Sequence, residues 1–265
     1  MESVKKIARK VLAATGVTHW RYRYDEWRAS QTDNDAPLVD DDGVALPSAY
    51  LMYLIGQTTN WKFFLKNGEA ALRTFAESVD RNGGNFKQTE RILDLGCGCG
   101  RLTRHLPKLI DGEIFGVDYN ARLVKWCKDN LQGNFSQNKL TPPLNFPSEH
   151  FDVVYLLSVF THLKIDTQNE WLAELERVVR PGGFALVTFH DEDHSGLEKV
   201  NLDRETLLEK HVHVHNDSSE GSNFLSTFQT RDAVRDQFGK YFDVVEIINS
   251  DANPLTQAIA VLRRR

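Results

Sequence analysis

Cysteine is scarce, with three residues in 265. So small and odd a number argues against a disulfide framework and fits a reducing cytosol. Long apolar runs are missing too. No stretch of about 18 apolar residues occurs, so no transmembrane helix and no membrane partner are expected. In MESVKKIARKVLAATG, Lys5, Lys6, Arg9 and Lys10 break up the apolar residues and leave no secretory h-region. A cytoplasmic location follows as the expectation. Nor is there an excess of positive charge, because 32 Lys and Arg face 37 Asp and Glu, for a net charge of −5. That disfavours a broad nucleic-acid footprint, a local basic patch aside. The G-x-S-x-G elbow of hydrolases and the phosphate loop G-x-x-x-x-G-K-[ST] are both absent.

What is present begins with helical spacing at Val4, Ile7, Val11 and Leu12, an amphipathic helix expected to pack on the domain. THWRYRYDEW, at Thr18–Trp27, is either a lid or an apolar strap; TDNDAPLVDDDG reads as a solvated loop. Apolar residues from Leu51 to Val79 predict one or two helices, ended by RNGGN. RILDL, GEIFGVD, NFSQN, FDVVYLLS and GFALVTF then read as strands. GRLTRHLPKL, ARLVKWCKDNL and WLAELERVVR between them read as helices. This alternation predicts an α/β, doubly wound, Rossmann-like and mostly parallel sheet. YFDVVEIIN and QAIAVLRR, with no helix between them, predict an antiparallel terminal pair.

The sharpest local signal is ILDLGCGCGR, a strand running into three alternating glycines. A dinucleotide loop would place a glycine where Arg101 stands, so pyrophosphate chemistry is not supported. Asp118 closes the second strand 20 residues past Gly98, where a carboxylate can take two ribose hydroxyls. A ribose acid beside a loop without phosphate chemistry suggests an unphosphorylated nucleoside. The cysteines are secondary, since C-x-C lacks the second pair of a zinc site.

ILDLGCGCGR, GVDYN, PPLNFPSEHFDVVYLLSVFTHL and WLAELERVVRPGGFALVTF, in this order, resemble the class I S-adenosylmethionine-dependent methyltransferases. Within that family the chain is similar to the bacterial small-molecule enzymes, type 11/25-like. The resemblance implies the seven-stranded methyltransferase fold over 86–265, with 190–230 as an acceptor-side insertion. Residues 1–85 would form a helical or irregular extension serving as lid and acceptor cover. It also implies S-adenosyl-L-methionine as cofactor, S-adenosyl-L-homocysteine as product and a small-molecule methyl acceptor. Asp94, Gly96, Cys97 and Gly98 would line the amino-acid part of the cofactor. Asp118 would hold the ribose, and Tyr119 would pack by the adenine. Asn138, Lys139 or Leu140 would meet the adenine edge, and Ser158 the methionine moiety. Arg101 would touch the methionine carboxylate or, the preferred reading, lie on a helix face making surface pairs.

His162, in TH after the fourth strand, is a candidate base for a hydroxyl; the plainer reading has Thr161 capping a helix and His162 in its first turn. FHDEDH, with His190, Asp191, Asp193 and His194, reads as a polar loop before it reads as a metal site. HVHVH would put His211, His213 and His215 on one strand face. No metal is expected. An [N/D]-P-P-[Y/F/W] motif is missing, which disfavours a DNA adenine enzyme. Two rivals stay open: a non-catalytic cofactor-binding protein, and an RNA-modifying methyltransferase with a basic path near Lys62, Lys66, Arg73 or the N-terminal arginines.

Overall fold

A computed structural model describes residues 27–31 and 38–265. The helix expected at Val4–Leu12 and most of Thr18–Trp27 lie outside the described residues. The chain divides into two compact units, Met1–Phe64 and Leu65–Arg265. In the first, Val39 and Ala45 bridge across a turn built on Asp40. Helix α1 (Ala49–Gly56) follows, capped by the Ser48 hydroxyl and burying Ala49 and Met52. Helix α2 (Trp61–Arg81) starts under the Asn60 side chain and crosses the division.

The second unit carries β1 (Arg91–Leu95), β2 (Glu113–Asp118), α3 (Ala121–Asn130), β3 (Asn134–Gln137) and β4 (Phe151–Leu156). Then come α4 (Ile165–Val178), β5 (Val179–Phe189), α5 (Arg204–Lys210), β6 (Val212–His215), β7 (Ser226–Gln229), α6 (Arg231–Phe238), β8 (Asp243–Ile248) and β9 (Ala258–Arg263). Seven strands form one sheet in the order β3-β2-β1-β4-β5-β9-β8. β1 to β5 are parallel, and β9 is antiparallel to both β5 and β8. The expected parallel sheet and antiparallel terminal pair are therefore present.

Alternation along each strand divides the core. Ile92, Ile114, Val153, Tyr155, Leu186 and Val261 pack under Ala71, Leu72, Phe75 and Val79 of α2. Leu93, Val117, Val154, Leu156, Ala185 and Ala260 face Trp171, Leu172 and Leu175 of α4 and Phe238 of α6. A period of two in the strands thus meets a period of 3.6 in the helices on both faces.

Three local expectations differ. GRLTRHLPKL forms a 3-10 helix at Thr103–Lys108 rather than an α-helix, with Pro107 inside it. Proline has no N–H to give to the fourth carbonyl back, and its ring crowds that carbonyl. His211 is not in the HVHVH strand. It ends α5 with φ +65, its N–H bonded to the Leu207 carbonyl, so only His213 and His215 share a face. Finally, α5 and α6 give the 190–230 region and its exit helices that sequence pattern missed. Asp203 and Thr230 cap them through the Thr206 and Ala233 N–H groups. β6 and β7 form a separate two-stranded sheet, joined to the end of β5 by a bridge from His190 to Phe228.

Candidate active site

The glycine loop leaves β1 at the carboxyl edge of the sheet, where ligands bind in open α/β folds. The N–H groups of Gly96 and Cys97 both donate to the Val117 carbonyl, at 2.8 and 3.0 Å, which ties the loop to β2. Gly96 has φ +82, and a Cβ there would stand 2.5 Å from Val159 Cγ2. Glycine is required both by the backbone and by the close approach of the turn after β4. Gly98 donates its N–H to Asp118 Oδ2 at 2.9 Å, and Asn120 N–H donates to Oδ1 at 2.8 Å. Burial pushes the Asp118 pKa up, and these two N–H groups work against it. Each carboxylate oxygen retains lone-pair capacity beyond the one bond it accepts.

Asp94 lies buried beneath the loop. Its Oδ2 accepts from Thr103 Oγ1 at 2.5 Å and from the Tyr155 hydroxyl at 3.0 Å. Burial outweighs both bonds and raises its pKa to about 6. No sequence spacing links Thr103 and Tyr155 to Asp94; only the tertiary fold brings them to it.

Cys97 turns its thiol away from the sheet edge into a cluster with Val124, Cys127 and Phe135. Its backbone alone can meet a ligand. All three cysteines are buried and none is in a disulfide. Burial pushes the Cys99 thiol well above its usual range.

Asn138 follows β3, donating its N–H to the Asp118 carbonyl at 3.2 Å. Its Oδ1 is buried with no partner, while Nδ2 donates to the Lys139 carbonyl. Tyr119 is 53% exposed beside Asp118. Lys139 is exposed. The Leu140 side chain packs by Gly221, where a Cβ would meet its Cδ1 at 2.5 Å, and its carbonyl accepts from Trp171 Nε1. The structure therefore joins Asp94, Gly96, Cys97, Gly98, Asp118 and Asn138 around one edge and turns Leu140 toward the insertion.

Arg101 corrects an expectation. It makes no surface pair: it is half-buried, its Nε has no partner, and its backbone carbonyl lies where a Gly68 Cβ would be, 2.1 Å away. Desolvation lowers its pKa, and the Asp94 carboxylate opposes that shift.

Ser158 sits two residues beyond β4 with φ +61. His162 ends a 3-10 turn at Phe160–His162, and Thr161 Oγ1 donates back to the Ser158 carbonyl rather than capping a helix. The Leu225 carbonyl stands 2.7 Å from His162 Nδ1. A carbonyl can only accept, so Nδ1 carries the proton and Nε2 keeps its lone pair. Burial lowers the His162 pKa and favours this neutral form. Among the described residues, no group of three or more His, Cys, Asp or Glu could hold a metal ion. No described helix is long and apolar enough to cross a membrane. Lys66 and Arg73 share their cleft with Glu69 and Glu77, and Arg73 pairs with Glu69 at 3.1 Å.

Residues 93–187 match the methyltransferase domain family. An uncharacterized methyltransferase of Schizosaccharomyces pombe is 34% identical over 141 residues, covering 49% of this chain and 50% of that protein. The ubiquinone/menaquinone biosynthesis C-methyltransferase of Pseudomonas paraeruginosa is 33% identical over 115 residues, covering 40% and 44%. The chain thus spans about half the length of the curated relatives it matches. Among solved structures, the magnesium protoporphyrin IX methyltransferase of Synechocystis with bound S-adenosylhomocysteine superposes with a TM-score of 0.54 at 15% identity, over 98% of this chain and 100% of that one. That likeness concerns the fold. Over residues 93–187 this chain is thus similar to a methyltransferase domain, and its fold is that of S-adenosylmethionine-dependent methyltransferases.

Proposed function

We propose that this domain binds S-adenosyl-L-methionine and directs methyl transfer to an oxygen or nitrogen of a small molecule, of the sugar or secondary-metabolite kind. The carrying observation is the bond from Gly98 N–H to the Asp118 carboxylate. It fixes the acid against the glycine loop with acceptor capacity left for two ribose hydroxyls. The orphaned Asn138 Oδ1 is an acceptor suited to an adenine amino group. The half-buried Arg101 guanidinium suits the methionine carboxylate. Together these atoms fit the cofactor's three parts.

When bound, the cofactor supplies an electrophilic methyl group on a sulfonium. The chain's own task is then to align a nucleophile and take its proton. Alignment accounts for much of the rate in such a displacement. In this reading His162, neutral and with Nε2 as its basic atom, takes the proton of an acceptor hydroxyl. The 190–230 insertion, which supplies the Leu225 carbonyl, forms the acceptor side in this reading.

Isothermal calorimetry with S-adenosylmethionine and S-adenosylhomocysteine tests the binding step. Both ligands should bind, and Asp118→Ala should abolish or sharply weaken binding. No binding by the unmodified chain overturns the reading. Labelled methyl transfer into metabolite extracts tests the catalytic step, and binding without any transfer would favour a non-catalytic cofactor-binding protein.

A further inference from the structure

Ser158 adopts a left-handed backbone that an L side chain holds only under constraint from its surroundings. Three contacts supply that constraint. Its N–H donates to Thr188 Oγ1 at 2.7 Å, its carbonyl accepts from Thr161 Oγ1 at 3.1 Å, and its hydroxyl accepts from Gln257 Nε2 at 2.6 Å. Gln257 is 99 residues away in sequence. It directly precedes β9, whose first residue Ala258 is paired with Phe189 at the end of β5. Its own carbonyl accepts from Asn253 Nδ2 at 2.9 Å, which fixes its backbone. The side chain then spans from β9 to the turn after β4, two strands away.

Gln257 Oε1 is buried and has no partner. A buried acceptor left unmatched is costly, so such an atom points to a donor brought by a ligand. The Ser158 hydroxyl already receives a hydrogen from Gln257, which leaves its own proton to give elsewhere. A hydroxyl donor and an amide acceptor thus stand side by side. The same turn presses on the glycine loop, because Val159 Cγ2 lies 2.5 Å from where a Gly96 Cβ would be. A ligand on that loop is within reach of this pair.

An acceptor for N–H beside a donor for oxygen is the complement of an α-amino acid, whose ammonium and carboxylate leave one carbon. We propose that Gln257 and Ser158 together hold the amino-acid end of the cofactor. Gln257 Oε1 accepts from the ammonium group, and the Ser158 hydroxyl donates to the carboxylate. This rests on the reading that the domain binds S-adenosylmethionine.

Calorimetry on the full chain with two probes separates the possibilities. S-Adenosylhomocysteine carries the amino-acid end, and 5′-methylthioadenosine lacks it. Gln257→Leu should weaken S-adenosylhomocysteine binding by about tenfold or more, as for a lost hydrogen bond to a charged group. Methylthioadenosine binding should stay at the unmodified value, which also shows that the variant is folded. Gln257→Asn, one methylene too short to reach Ser158, should show the same selective loss and stands in if the leucine variant does not fold. Unchanged S-adenosylhomocysteine affinity, or an equal loss for both probes, overturns the proposal. If the unmodified chain binds neither probe, the cofactor reading itself fails.

Discussion

At the scale of single residues, buried acids and bases set measurable pH behaviour. Asp94 ionises near pH 6 in the folded chain, against 3.8 for an unperturbed carboxyl. Between those values the folded state holds a proton that the unfolded state has lost. The contribution of Asp94 to stability is therefore present at low pH and is lost as pH rises through about 6. The gap corresponds to about 3 kcal/mol. Asp94→Asn should gain stability relative to the unmodified chain by up to that amount between pH 4 and pH 7, as read by urea unfolding at both. A constant difference would refute the assignment. His162 makes a separate prediction. If Nε2 takes the acceptor's proton, His162→Ala should lower kcat by about 100-fold or more, the usual worth of a general base. Its S-adenosylhomocysteine affinity, by calorimetry, should not change.

At the scale of elements, a helix propensity and a packing contact act in opposite directions at one position. Gly68 lies inside α2, where alanine would ordinarily gain about 1 kcal/mol. A Cβ there would sit 2.1 Å from the Arg101 carbonyl oxygen and 3.0 Å from its Cγ. Backbone cannot yield as a flexible side-chain tip does, and overpacking costs about 1–3 kcal/mol. Gly68→Ala should therefore lower the melting temperature and weaken cofactor binding, because the helix would push on the glycine loop. A raised melting temperature would show that the loop gives way freely. The same contact explains why Arg101 was misread from sequence. Its place after the glycines suggested a helix face, but the loop continues into a 3-10 turn held against α2.

At the scale of the whole domain, histidines gather around the insertion. His190 stacks on His194 with ring centroids 4.0 Å apart, and Phe228 lies 5.0 Å from His190 and 6.5 Å from His213. Burial holds the pKa values of His190, His194, His213 and His215 below 6.5, that of His194 at about 4. Each remains neutral in the fold where the unfolded chain would take up a proton. Their contribution to stability is intact above pH 6.5 and falls away as pH drops toward the folded values. Native-state hydrogen exchange, corrected for intrinsic rates, should show Val212–His215 losing protection at pH 5 while Ile92–Leu95 keeps it. Equal loss in both strands would place the acid sensitivity in the sheet instead. Apart from β3, whose NFSQ holds a single apolar residue, the strands of the sheet were legible because each reads as a short apolar run between turn residues. The small helices α5 and α6 were not, because seven or eight polar-rich residues give too few turns for a period to emerge.

The sequence by itself determined the layered α/β sheet, the glycine loop after β1 and the acid that answers it. Periodicity, glycine chemistry and the 20-residue interval from Gly98 to Asp118 are local properties, and local properties survive in one dimension. Only the tertiary structure decided what surrounds those residues. Tyr155 reaches Asp94 from 61 residues away, Leu225 fixes the His162 tautomer from 63, and Gln257 reaches Ser158 from 99. No spacing in the sequence signals any of these pairings. Tyr155 and Gln257 meet their partners because the order β1-β4-β5-β9 brings strands distant in sequence to a common edge, and Leu225 arrives with the separate β6-β7 sheet; there buried polar atoms must find partners or leave places for a ligand.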